Sequence, residues 1–231
     1  MNVYLYQSWT QKELKNAYIW YWWSPWSNTI AYYPLESDGN DNANNYNLSN
    51  LWTTTFGTIW GIKWAIFSAN TTSWLYNNSV SIPQWNNSWT VNMYIYPTSY
   101  NSSEDDVFFM WTGNYNQWFL IYDLNPISIS TWWSAINSTT NVSLNTWSNI
   151  VITQSSKTYT IYVNWVSVKS WTMSSANLTG TNLNLGYAYW NDASNKRFVW
   201  WMSEFILENK TWTATEISNY YNRTKSKYWI S

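Results

Sequence analysis

The stretch Trp147–Ser174, WSNIVITQSSKTYTIYVNWVSVKSWTMS, decides the fold. Ile150 and Ile152 fall on one face of a run that stops at the polar break Ser155-Ser156-Lys157, and Tyr159, Ile161 and Val163 share one face of the run that follows. Side chains alternating with a period of two belong to strands. The polar break suits a hairpin, and Asn164-Trp165 marks a second reversal, dividing YTIYV from VSVKS. Two hairpins in so short a span mean an antiparallel sheet.

Working outward, the same signals recur. In SWTVNMYIYP, Trp89, Val91, Met93 and Ile95 alternate with Thr90, Asn92, Tyr94 and Tyr96, and Pro97 stops the ladder. DDVFFMWTGNYNQWFLIYDLN reads as a hairpin with its tip at Thr112–Gln117, and ISISTWWSAINS as one continuing strand with a turn before Val142. Near the start, Ala31, Tyr33 and Leu35 share a face. Thr213-Ala-Thr-Glu216 is a capping box with apolar Trp212 just before it, which predicts a helix of about two turns. Turn signals at this spacing belong to a sandwich or barrel. The expected organisation is an extension or linker over 1–28 with a short helix near Gln11–Ile19, a sandwich over 29–222, and a tail over 223–231.

The order of these motifs resembles the laminin-G-like branch of the concanavalin A-like lectin/glucanase superfamily. The resemblance rests on a Trp followed by an apolar strand, a polar turn and a strand ending Tyr162-Val163-Asn164, and on the closing LNLGYAYWNDASNKRFVWWMSEFILENKTWTATEISNYYN. It implies an all-β, two-sheet antiparallel β-sandwich, a jelly roll, with a short C-terminal helix. Three departures stand out. The family pattern has Gly after Asn164, where this chain has Trp165, and Trp200 falls on the glycine of a Phe-x-Gly element. Ser203 replaces the usual Asp, while Glu204 is kept. An Asn-Gly pair makes a type I′ turn with positive φ at both central residues, and a residue with a Cβ loses roughly 1–2 kcal/mol there.

Composition sharpens that point. The 231 residues hold 23 Trp and 6 Gly, whereas ordinary usage would give about sixteen glycines. Some bacterial lineages read UGA as glycine where a common alternative code reads tryptophan, so part of the Trp content is expected to be recoded glycine. The alternative is an aromatic-rich domain that stacks on sugars. The presence of Trp165, Trp171 and Trp200 in turn-like positions favours recoding, while Trp89, Trp147 and Trp212 occupy aromatic or apolar positions and read as genuine.

Eleven Lys+Arg against 12 Asp+Glu give a net charge of -1 with 10% charged residues. No basic footprint for nucleic acid and no basic amphipathic run for a membrane follows from this, and no apolar run is long enough to span a bilayer. Cys and His are both absent, which excludes disulfides, thiolate chemistry and His-based triads. The start MNVYLYQSWTQKELK does not read as a signal peptide. The resemblance nevertheless implies an extracellular or cell-surface setting, with any export signal outside this sequence.

Candidate chemistry is sparse. Asp38, Asn40 and Asp41 in the first polar loop could supply oxygens to calcium, the single cofactor the sequence suggests, although the full spacing of a calcium loop is missing. Asn114 and Tyr115 at one hairpin tip, and Tyr189 and Asp192 in a later loop, are candidate glycan contacts. Glu204 and Glu208 have the i, i+4 spacing of a glycanase carboxylate pair, but Phe205-Ile206-Leu207 between them reads as a buried strand. The chain is therefore expected to be no enzyme. The reading is a recognition or adhesion module for a glycan, with a structural protein-interaction domain of a surface or pilus-like assembly as the alternative.

Overall fold

The alternation in Trp147–Ser174 becomes three consecutive strands. The computed structural model describes residues 28–44, 46–52, 54–59, 61–67, 73–83, 87–100, 107–111, 118–131, 134–172, 181–186 and 200–230. The expected N-terminal helix lies outside them. In chain order the strands are β1 (Thr29–Tyr33), β2 (Ser49–Trp52), β3 (Thr55–Ile59), β4 (Ile62–Ile66), β5 (Ser73–Asn77), β6 (Trp89–Pro97), β7 (Phe108–Trp111), β8 (Trp118–Leu124), β9 (Ile127–Thr131), β10 (Ser134–Asn137), β11 (Ser148–Ser155), β12 (Thr158–Val163), β13 (Val166–Thr172), β14 (Asn182–Leu185) and β15 (Trp200–Glu208). Helix α1 (Ala214–Thr224) and a 3-10 turn (Lys225–Tyr228) follow. No helix among the described residues is long and apolar enough to cross a membrane.

All strand pairs are antiparallel and fall into two sheets. The first runs β13-β12-β11-β6-β15-β4-β3, with β1 added beside β15 as its eighth strand; the second, of seven strands, runs β10-β9-β8-β7-β14-β5-β2. Ile150 lies opposite Met93 and Val163, and Ile152 opposite Val91 and Ile161, so two apolar rows cross three strands. They share one core cluster with Phe108, Met110, Ile121 and Leu183 of the second sheet. The jelly-roll reading holds, with Ala31, Tyr33 and Leu35 all in this core.

The outer face of the first sheet is also covered. Tyr94, Val151 and Ile206 point away from the second sheet into a second cluster with Trp212, Ile217, Tyr220 and Tyr228 from the C-terminal segment. The capping box holds that segment's start: Glu216 N–H donates to Thr213 Oγ1 at 3.2 Å and Thr213 N–H to Glu216 Oε2 at 2.8 Å. Trp212 and Ile217, at N′ and N4, meet in the cluster as a hydrophobic staple. Lys210 Nζ also reaches the Glu216 carboxylate.

Several expectations need correction. The segment ISISTWWSAINS folds back on itself: Thr131 lies opposite Ser134 and Ile129 opposite Ile136. The sequence between the two strands holds no Gly, Pro, Asn or Asp to announce the reversal. The helix spans 11 residues, and the supposed tail from 223 completes it and adds the 3-10 turn, because Tyr221 and Tyr228 bury themselves. Trp171 lies within the paired part of β13, opposite Tyr159 and stacked on it with ring centroids 5.1 Å apart, and its φ is not positive, so its position makes no demand for glycine.

Trp89 is fully buried and meets Tyr159 edge-on at 5.9 Å. Trp89→Ala is expected to lower the unfolding free energy by about 3–5 kcal/mol in urea denaturation. A loss below about 1 kcal/mol would place Trp89 outside the packed interior.

Candidate functional site

Three segments converge beside the first sheet and enclose a cleft of about 610 Å³. The β12–β13 turn is tied to β11: Asn164 N–H donates to Asn149 O at 2.9 Å, and Asn149 N–H to Asn164 Oδ1 at 2.8 Å. The loop before β11 is tied to the end of β6 through Asn145 N–H to Pro97 O at 2.6 Å. The C-terminal segment closes the third side, with Tyr228 stacked on Tyr94 at 3.7 Å between centroids.

The floor of the cleft includes Tyr96, Trp147 and Tyr228, and its polar groups are amides and hydroxyls such as Asn145, Thr146 and Asn164. Among the described residues, none that lines the cleft carries a charge. The lips are Trp165, Val166 and Trp229, exposed by 48%, 51% and 62%. Both tryptophans have positive φ, +68° at Trp165 and +57° at Trp229.

A buried clasp beneath the cleft fixes its C-terminal wall. Glu204 sits in a β-bulge of β15, where the register with β6 shifts between Ser203 and Phe205, at φ +59°. Its N–H donates to Pro34 O at 3.2 Å. Its carboxylate accepts hydrogen bonds from the hydroxyls of Tyr220 and, at 3.1 Å, Tyr228. Burial first, and then the charge of Glu204, holds both phenols well above their ordinary pKa, so they stay protonated donors. Glu208 accepts from Trp212 Nε1 at 2.5 Å and Thr29 Oγ1 at 3.3 Å. Burial raises its pKa, and those two bonds partly oppose the rise. The two carboxylates with glycanase spacing thus lie in the second core, and neither lines the cleft.

The first polar loop is organised by Asp41. Its Oδ1 accepts from the N–H groups of Tyr32 and Ala43, each at 2.8 Å, and its Oδ2 from those of Asn44 and Tyr46 at 3.1 and 3.0 Å. Asp38 Oδ1 caps its own turn by accepting from Asn40 N–H at 3.0 Å. A calcium ion bound here would displace these donors, and among the described residues no three of His, Cys, Asp and Glu converge. Asn114, Tyr115, Tyr189 and Asp192 lie outside the described residues. Sequence reasoning marked Asn164-Trp165 as a turn and missed its role as a cleft wall; Asn145 and Trp229 gave no signal, because the segments they meet are distant in sequence.

A family model described as the concanavalin A-like lectin/glucanases superfamily, of laminin-G type, matches residues 69–218. The chain belongs to that superfamily. Among solved structures it is similar to domain 4 of AbnA, a GH43 extracellular arabinanase from Geobacillus stearothermophilus, determined in complex with arabinotriose. That likeness has a TM-score of 0.69 at 14% identity and covers 83% of this chain and 97% of that one. It is also similar to the binding domain of botulinum neurotoxin serotype G (TM-score 0.65, 14% identity, 86% of this chain and 52% of that one). The binding domain of Paraclostridial Mosquitocidal Protein 1 is a third (0.64, 15%, 85% and 52%). This chain spans about half of each toxin domain, and at these identities the likeness is one of fold. No curated protein matches the sequence.

Glu204→Ala removes the acceptor of two buried phenols, at about 1–3 kcal/mol per stranded group. Amide exchange over Ala214–Tyr228 should then accelerate ahead of the sheets; unchanged exchange there would dismiss the clasp. Asp41→Ala is expected to lower Tm by several degrees, and Ca²⁺ added to the native chain to leave Tm unmoved. A rise in Tm with Ca²⁺ would mean that the loop binds the ion.

Proposed function

We propose that this domain is a non-catalytic recognition or adhesion module that binds carbohydrate outside the cell or at its surface. The observation that carries the proposal is the cleft, whose uncharged amide and hydroxyl groups surround aromatic rings. A sugar offers hydroxyls to the first and apolar C–H faces to the second, and the cleft volume is that of a small-molecule site. The lining suits neutral sugars better than sialylated ones. Further support comes from the arabinotriose-bound arabinanase domain, matched over nearly its full length, and from the extracellular setting that its description gives.

The lining that carries the binding reading consists, among the described residues, of uncharged polar and aromatic side chains, whereas a retaining glycanase needs two carboxyls about 5 Å apart across the bond it cuts. The second reading, a protein-interaction domain of a surface or pilus-like assembly, is favoured by β13. It ends the first sheet and is largely exposed, and an open strand edge can accept a partner strand. Recoded UGA belongs to the same proposal and is supported by 23 Trp beside 6 Gly.

A glycan array is the test. Neutral oligosaccharides should bind at micromolar affinity or better, and Asn145→Gly, which keeps the positive φ while deleting the amide, should weaken binding about three- to tenfold. An array that stays blank while a strand-donating protein partner is captured would reject the carbohydrate reading.

A further inference from the structure

The two tryptophans at the lips of the cleft occupy backbone positions that suit glycine better than any other residue. Trp165 is the second central residue of a two-residue turn between the paired Val163 and Val166, with φ +48° at Asn164 and +68° at Trp165. That is the type I′ hairpin, whose preferred sequence is Asn-Gly. Trp229 closes the 3-10 turn at φ +57°, ψ +27°. Around it, Ile230 N–H donates to Lys225 O at 3.1 Å and Trp229 N–H to Ser226 O at 3.4 Å. Those are the 6→1 and 5→2 bonds of a Schellman motif, with Trp229 at its C′ position, the usual place for glycine.

Positive φ does not by itself identify glycine, because Ser156 and Lys157 hold a similar turn at +46° and +70°. Leu35 and Glu204 also have positive φ, but one is buried in the main core and the other is held by the clasp. What singles out 165 and 229 is coincidence. Among the tryptophans whose side chains are described, the two with positive φ are also the two that are exposed. Trp64, Trp89, Trp147 and Trp212 are buried instead, and none has positive φ. Glycine does appear with positive φ elsewhere, at Gly61 and Gly186.

We infer that residues 165 and 229 are glycine in the protein as its cell makes it, encoded by UGA. Both lips of the cleft are then bare backbone. The mouth opens between Asn145, Val166 and Ile230, and a ligand meets the floor and the amides without two indoles at the entrance. The inference stands on backbone geometry and the Trp–Gly imbalance, independently of whether a sugar binds.

The codons and a peptide mass decide it. UGA at 165 and 229, with glycine at both positions in protein from the natural host, is the expected result; UGG or a tryptophan mass at either position overturns it. In the chain as written, Trp165→Gly and Trp229→Gly should each raise Tm by about 2–4 °C, and a fall in Tm for either would count against the inference. These readouts need no ligand, so a blank glycan array combined with UGA codons would reject the carbohydrate reading alone.

Discussion

Along most of its length strand β6 has no face toward water, and the rest of the molecule follows from that constraint. Trp89, Val91, Met93 and Ile95 fill the space between the sheets, while Tyr94 on the opposite side needs a second cover. Antiparallel sandwiches usually leave their outer faces wet. Here an aromatic outer face makes that costly, and the C-terminal helix and 3-10 turn supply the cover. Some of the polar groups caught beneath it are bonded: Asn149 Nδ2 donates to Asn92 Oδ1 at 2.8 Å, and Tyr94 Oη meets Thr224 Oγ1 at 2.5 Å, while Asn92 Nδ2 and Asn149 Oδ1 are buried without a hydrogen bond.

The cleft is a consequence of that second layer. Its C-terminal wall stays in place because Tyr228 stacks on Tyr94 and reaches the carboxylate of Glu204. Glu204 can face that cluster because the bulge lets Met202 and Phe205 both turn inward, although they are three residues apart. A strictly alternating β15 would send one of them outward. The superfamily's sandwich thus acquires, at one side of one sheet, an uncharged site built from three chain segments.

Much of this was legible in the sequence. The alternation in β6, β11 and β12 gave both the sheet and its inward face, Asn164-Trp165 gave the I′ reversal, and Thr213 with Glu216 gave the cap. What escaped had physical causes. The β9–β10 reversal follows from the pairing of Thr131 with Ser134, and the sequence between them holds no Gly, Pro, Asn or Asp to signal it. The cover over Asn92 and Tyr94 was not foreseen, because period-two patterning cannot see a helix arriving from more than a hundred residues away. The bulge at Glu204 and the Schellman position at Trp229 are left-handed residues without a glycine to announce them. The cleft could not be read at all, since its walls meet only after the C-terminal segment docks.

Native-state hydrogen exchange tests the central claim most directly, because it shows whether the second cover is part of the cooperative structure. Amides of Ile217–Tyr221 should exchange with the same opening free energy as those of β6, β11 and β15. Helix amides that open several kcal/mol more easily, with the central strands still fully protected, would contradict the account.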